Sequence, residues 1–161
     1  MPGRVGRMLL ALAVLPVGLA AGCADAARRP LPRATVELAG VRIAVEVAAT
    51  EAARRRGLSG REALAPEAGM WFVFPREEQR VFWMAGMRFP LDIVFLDARR
   101  RVVEVVSDAP PPPPPPAAEK APAEYTSRVP ARYVLEVPAG FCRRHDVRPG
   151  LEARLTEAAA E

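Results

Sequence analysis

Apolar and polar positions alternate from residue 41 to residue 47, where Val41, Ile43, Val45 and Val47 are separated by Arg42, Ala44 and Glu46. Successive side chains of a strand point to opposite faces, so this period of two predicts a strand with one face buried. Val36-Glu37-Leu38 precedes it across Ala39-Gly40, and the two together predict a β-hairpin. The pattern then changes. Thr50-Glu51-Ala52-Ala53-Arg54-Arg55-Arg56-Gly57 predicts a two-turn helix, with Thr50 as N-cap, Glu51 and the arginines matched to the two ends of the helix dipole, and Gly57 as the stop. Residues 71–74, 81–84, 91–96 and 102–106 are short apolar runs bounded by proline, glycine or charge, which predict strands. Residues 133–137 form another, followed by a short helix around residues 141–145 and a closing strand over residues 151–155. Six to eight short strands with one or two short helices make a β-rich α+β fold. Short connections favour antiparallel neighbours, in a small sheet or a partly closed barrel.

Residues 1–7 are basic and residues 8–21 (MLLALAVLPVGLAA) are apolar, the layout of an export signal. This stretch falls short of the roughly 20 residues that a spanning helix needs. Leu19-Ala20-Ala21-Gly22-Cys23 places small residues directly before a cysteine and resembles the signal of a bacterial lipoprotein, in which the Cys23 thiol receives the lipid after cleavage. The alternatives are an ordinary secretory signal cleaved after a site such as Ala24-Asp25-Ala26, and an uncleaved anchor. On the first reading, residues 1–22 are a signal peptide, 23–34 a lipid-anchored tether, 35–156 a single β-rich domain and 157–161 a tail. The chain is then exported and held on a membrane through lipidated Cys23, facing the periplasm or the cell exterior. Cys142 is left without an internal disulfide partner.

Composition changes this picture in two places. Seven of the 18 prolines form one run at residues 110–116, inside a proline-rich loop spanning residues 108–123. Such a run forms neither helix nor central strand, and reads as a polyproline II spacer or as a docking segment for a proline-reading partner. The formal charge is +4, but Arg4 and Arg7 lie in the leader and leave 21 basic residues against 19 acidic ones. A chain so nearly balanced offers no basic face to nucleic acid. Two cysteines and one histidine exclude zinc fingers and multi-disulfide scaffolds. No phosphate loop, HExxH or dinucleotide fingerprint is present, so neither metal nor cofactor is expected.

Seven of the ten aromatic residues and three of the five methionines lie between residues 70 and 95. Neighbours such as Trp71-Phe72 and Phe82-Trp83 cannot all enter one core unless both faces of the sheet are covered. The segment therefore reads as core or as the lining of an apolar ligand or partner cleft, with Trp71, Phe82, Trp83, Met84 and Asp92 as candidate ligand-binding residues. Asp92 and Glu136 each sit inside an apolar run, where an unpartnered acid is costly. They read as ion pairs or strand-end caps, with Arg88, Arg132 and backbone amides as partners, or as the acid/base pair of an enzyme. His145 reads as a surface residue. Gly57-Leu58-Ser59-Gly60 falls one residue short of a nucleophile elbow, and Cys142 beside Arg143 and Arg144 reads as an inert thiol or an activated one.

Six pieces of the chain occur in an order that resembles the bacterial and archaeal domain-of-unknown-function 192 family: Arg56-Gly57-Leu58-Ser59-Gly60-Arg61, the segment from Gly69 to Phe74, Phe82-Trp83-Met84, the segment from Pro90 to Asp97, Tyr133-Val134-Leu135-Glu136 with Gly140, and Val147-Arg148-Pro149-Gly150. The resemblance runs from about residue 41 to residue 155. It implies one small β-rich domain, often exported or membrane-associated, with no established activity. The chain departs from the family at Met84-Ala85-Gly86-Met87, where a Lys-Asn-Thr continuation is usual, and loses polar groups beside its aromatic patch. Together these readings point to a cell-envelope binding module whose 70–95 surface holds an apolar small molecule or an envelope protein. A hydrolase or transferase using Asp92 and Glu136 is one alternative, and a non-catalytic envelope assembly partner is another.

Overall fold

The expected hairpin is present in the computed structural model, which describes residues 30–113 and 122–157. Strands β1 (Arg33–Leu38) and β2 (Val41–Ala48) pair antiparallel around Ala39 and Gly40, both at positive φ, the backbone that a two-residue hairpin turn needs. Thr50 caps α1 (Glu51–Arg56) by accepting the Ala53 N–H at 3.2 Å, and Gly57 ends it at φ +50°. The chain then crosses to β3 (Ala68–Glu78), which runs parallel to β2, so residues 49–67 form a crossover that carries α1. Arg61 pins this crossover to β2 through a bidentate pair with Glu46 at 2.7 and 2.8 Å, and that hydrogen bonding holds the Glu46 carboxyl below its ordinary range.

The remaining elements are β4 (Val81–Trp83), β5 (Leu91–Leu96), β6 (Val102–Ala109), β7 (Glu124–Thr126), β8 (Ala131–Pro138), α2 (Phe141–Arg144) and β9 (Arg154–Glu157). Among the described residues, seven strands form one open sheet in the order β6-β5-β8-β3-β2-β1-β9, antiparallel except at β2–β3. β4 and β7 form a separate two-stranded ribbon. The β-rich, mostly antiparallel expectation holds, as a sheet and not as a closed barrel.

Both faces of this sheet are covered, which explains the adjacent large side chains of residues 70–95. Trp71 enters one core with Val45, Val94, Leu135 and Phe141, on the side of α2. Met70 and Phe72, its neighbours in β3, enter the other with Ile93, Phe95 and Val134, on the side of α1 and the ribbon. Gly69 sits where β3 passes close to β8; a Cβ there would lie 2.6 Å from the Glu136 carbonyl oxygen, so only glycine fits the strands together.

Strands β3 and β8 run longer than the apolar runs that predict them, and four further differences from expectation have local reasons. The closing strand is Arg154–Glu157 and not residues 151–155, because the residues before it are bonded elsewhere: Gly150 N–H to Val102 O at 2.8 Å and Ala153 N–H to Arg100 O at 2.9 Å. The chain thus passes from the β6 edge to the β1 edge while the sheet stays open. Pro32 to Ala34, read as tether, already belong to the sheet, since Pro32 O accepts the Val47 N–H at 2.7 Å and β1 starts at Arg33. β6 continues through Asp108 and Ala109, so the proline-rich loop begins two residues later than expected. β7 was not foreseen, because three residues behind a proline-rich stretch carry too short a pattern. Residues 1–22, read as a signal peptide, with Cys23, and residues 114–121 of the loop lie outside the described residues.

Candidate functional site: an apolar cleft with a buried carboxyl

A cleft of about 400 Å³ opens between α1 and the β4–β7 ribbon, on the Phe72 side of the sheet. Phe72, Phe74, Phe82 and Met87 wall it, and Val81 and Trp83 stand at its mouth. The period of two explains that division: Phe82 turns inward, while Val81 and Trp83 on either side of it are 59% and 57% exposed. Phe82 meets Phe72 edge-on at a centroid distance of 5.0 Å and Phe74 at 6.3 Å, a packing preferred by aromatic quadrupoles.

Hydrogen bonds fix these walls to each other. Ser59 Oγ donates to Ala85 O at 2.7 Å and the Gly60 N–H to Gly86 O at 2.9 Å, which joins the segment after α1 to the turn after β4. One of the pieces that carried the family resemblance, Arg56 to Arg61, is thus bonded to the segment at which the chain departs from the family. At the other end, the Arg80 N–H donates to Ser127 Oγ and the Ser127 N–H to Arg80 O, both at 2.8 Å, which ties β4 to β7. Buried Ser127 is thereby a structural hydroxyl.

The charged groups are arranged by depth. Arg54 Nη1 donates to the carbonyls of Ala49 and Val73 at 2.5 and 2.9 Å, with its guanidinium 5.1 Å from the Phe74 ring centre. The Arg80 guanidinium lies over the same ring at 4.1 Å. Arg55 pairs with Glu51 on the outer surface of α1. Glu136 lies at the floor. It stands opposite Met70 of β3 and Ile93 of β5, is only 5% exposed, and its Oε2 meets no hydrogen-bond partner among the described residues. Burial pushes its carboxyl up to about 8, so at neutral pH it is a neutral acid facing an apolar cleft.

Asp92 is placed quite differently. Its register partner is Val137, in the Trp71 core, whereas Glu136 shares a register with Ile93 in the Phe72 core. The two carboxyls therefore point to opposite faces of the sheet and do not form the acid/base pair that the sequence allowed. Asp92 is fully buried and accepts three backbone N–H groups: Asp108 at 2.8 Å and Gly140 at 3.2 Å on Oδ1, and Cys142 at 2.8 Å on Oδ2. Gly140 has no side chain with which to cap α2, and Asp92 caps it from the neighbouring strand. The backbone-amide alternative is the one realised; Arg88 pairs instead with Glu62, and Arg132 lies against the Tyr133 ring.

Of the five residues expected to bind a ligand, the structure gathers Phe82 and Trp83 at the cleft. Trp71 is on the opposite face, fully buried and stacked on Tyr133 at 5.3 Å, and Asp92 is on that face too. Met84 faces the Phe72 core but lies beneath the cleft's wall, 1% exposed. Cys142 is not an activated thiol: burial, then the nearby Asp92 carboxylate, raise its pKa far above the ordinary thiol range. His145 packs against the Phe141 ring at 4.5 Å. The expected set left out Phe72, Phe74, Val81 and Met87, which lay within the 70–95 cluster, and Glu124, which carried no signal.

An open, mostly antiparallel sheet with one parallel crossover, roofed by a two-stranded ribbon over an apolar cleft, defines the class of protein. Residues 34–155 match the family DUF192 (Uncharacterized ACR), and the chain belongs to that family. None of the curated proteins matches it. Among solved structures, it is similar to one from Sinorhizobium meliloti described as a candidate transcription regulator, at 28% identity and a TM-score of 0.70, over 80% of this chain and 97% of that one. It is also similar to a protein of unknown function from Novosphingobium aromaticivorans, at 29% identity and a TM-score of 0.67, over 90% of this chain and 93% of that one.

Proposed function

We propose that this domain is a binding module of the cell envelope, which holds a small, largely apolar molecule in the cleft between α1 and the β4–β7 ribbon. One observation carries the reading: the cleft is open at Trp83, walled by aromatic rings, and lined by the buried acid Glu136, whose Oε2 has no partner among the described residues. A buried polar atom is nearly always bonded, and a few oriented polar groups in an apolar cleft are the usual make-up of a ligand site. The separation of Asp92 from Glu136 leaves the enzymatic alternative without its pair.

The test is a titration with 2-phenylethanol followed by Trp83 fluorescence, since Trp71 is buried on the other face. Saturable quenching is expected, and Trp83→Ala should abolish the accompanying thermal shift while its unfolding midpoint stays within about 0.5 kcal/mol of wild type, as is usual for an exposed side chain. A Trp83→Ala chain that unfolds would return Trp83 to the core and sink the reading. The envelope part of the proposal rests on the Leu19 to Cys23 pattern. Mass spectrometry of the protein extracted from its own membranes should show a diacyl or triacyl mass on Cys23 that survives denaturation; an unmodified Cys23, or a chain beginning after it, removes the anchor.

A further inference from the structure

The floor of the cleft narrows the chemistry of its occupant. Glu136 is flanked across both neighbouring strands by Met70 and Ile93, so β3 and β5 present no charge at those positions. The charged groups on the other walls are Glu51, Arg54, Arg55 and Arg56 from α1 and Glu124 from β7. Burial is the cause of the shift at Glu136, with no contribution from a neighbouring cation. The arginines at the mouth are engaged elsewhere: Arg54 with the carbonyls of Ala49 and Val73, Arg55 with Glu51, and Arg56 electrostatically with Glu46. The deep acid is therefore left without a counter-ion by the described residues, and it stands among rings whose negative faces attract cations. Phe74 shows that preference within the fold, with two guanidinium groups against one ring.

We propose that the cleft takes amphipathic primary amines, with an apolar body between Phe72, Phe82 and Trp83 and the ammonium group seated on Glu136. This rests on the cleft being a binding site, and it adds the class of ligand. The ammonium supplies the donors that the carboxylate lacks, and its approach offsets the cost of ionising a buried acid. As the amine enters, the Glu136 carboxyl gives its proton to solvent and the ligand keeps its own charge. Binding below pH 8 is thus coupled to the release of one proton, and it tightens toward tenfold per pH unit up to that value.

The experiment compares 2-phenylethylamine with 2-phenylethanol by isothermal titration calorimetry from pH 6 to pH 9, in buffers of different ionisation enthalpy. The two probes differ only in the head group. At pH 8 the amine should bind the wild type at least tenfold more tightly than the alcohol, with about one proton released per amine at pH 6–7. Glu136→Gln should erase that preference and the proton release with it. Should the variant fail to fold, proton release by the wild type decides alone. Alcohol binding with no gain for the amine, no proton release, or a preference that survives Glu136→Gln overturns the amine assignment and leaves the cleft as a binding site. Failure of both probes, with Trp83 fluorescence unchanged, overturns both.

Discussion

Asp92→Asn is expected to lose about 3–5 kcal/mol of folding stability, read as a shift of the urea midpoint at unchanged slope. Three backbone N–H groups converge on a fully buried carboxylate, two on Oδ1 and one on Oδ2. An amide can present only one oxygen to them. Its NH2 group then faces at least one N–H, so a donor meets a donor where no water reaches. Each buried donor left unsatisfied costs about 1–3 kcal/mol, and a bond to a charged acceptor is worth more than one to a neutral oxygen. The loss is concentrated where β5 meets β6 and the start of α2, the elements that Asp92 bonds together. The folded fraction of Asp92→Asn should still bind 2-phenylethanol as the wild type does, because the cleft is on the other face of the sheet. A change below about 1 kcal/mol would remove Asp92 from its role as the cap of α2.

A second large effect is expected from pH, and its sign is opposite to that of most carboxylates. Burial pushes the Glu136 carboxyl up to about 8 in the folded protein, against 4.5 for an unperturbed glutamate. Below 4.5 it is protonated in both states and its titration does not affect stability. Between these values the unfolded chain ionises while the folded one holds its proton, so stability falls by about 1.4 kcal/mol per pH unit and levels off above 8. Over the whole window this amounts to roughly 4–5 kcal/mol. The measurement is the stability of wild type minus that of Glu136→Gln from pH 4 to pH 9, so that other titrating groups cancel. The difference should decline steadily across the window. A flat difference would show that Glu136 finds a partner or reaches water.

Much of this was legible in the residues. The alternation at Val41, Ile43, Val45 and Val47, the Ala39-Gly40 turn and the Thr50 to Gly57 signature are local devices, and each formed the element its pattern predicts. The crowding of aromatic residues at 70–95 also carried its own question, because Trp71-Phe72 demands two covered faces. What could not be read was which face each strand turns to which neighbour. Asp92 and Glu136 look alike in sequence, an acid within an apolar run, yet a register of Asp92 against Val137 sends them to opposite sides. That register is a tertiary fact, set by pairing between segments more than 40 residues apart. The same holds for the cleft, whose roof needs β4 to find β7 across the proline-rich loop.

The pairing of β1 with β9 sets how the domain meets the chain around it. Ala34 lies opposite Glu157, so the polypeptide enters and leaves the folded unit side by side. Circular permutation that joins these ends and opens the chain at the proline-rich loop should preserve the fold, as connections at exposed loops usually allow. Tension applied between the two ends would peel β9 from β1 one hydrogen bond at a time, instead of shearing the whole ladder at once. Unfolding under such a pull is therefore expected at lower force than for a domain whose terminal strands are loaded in shear.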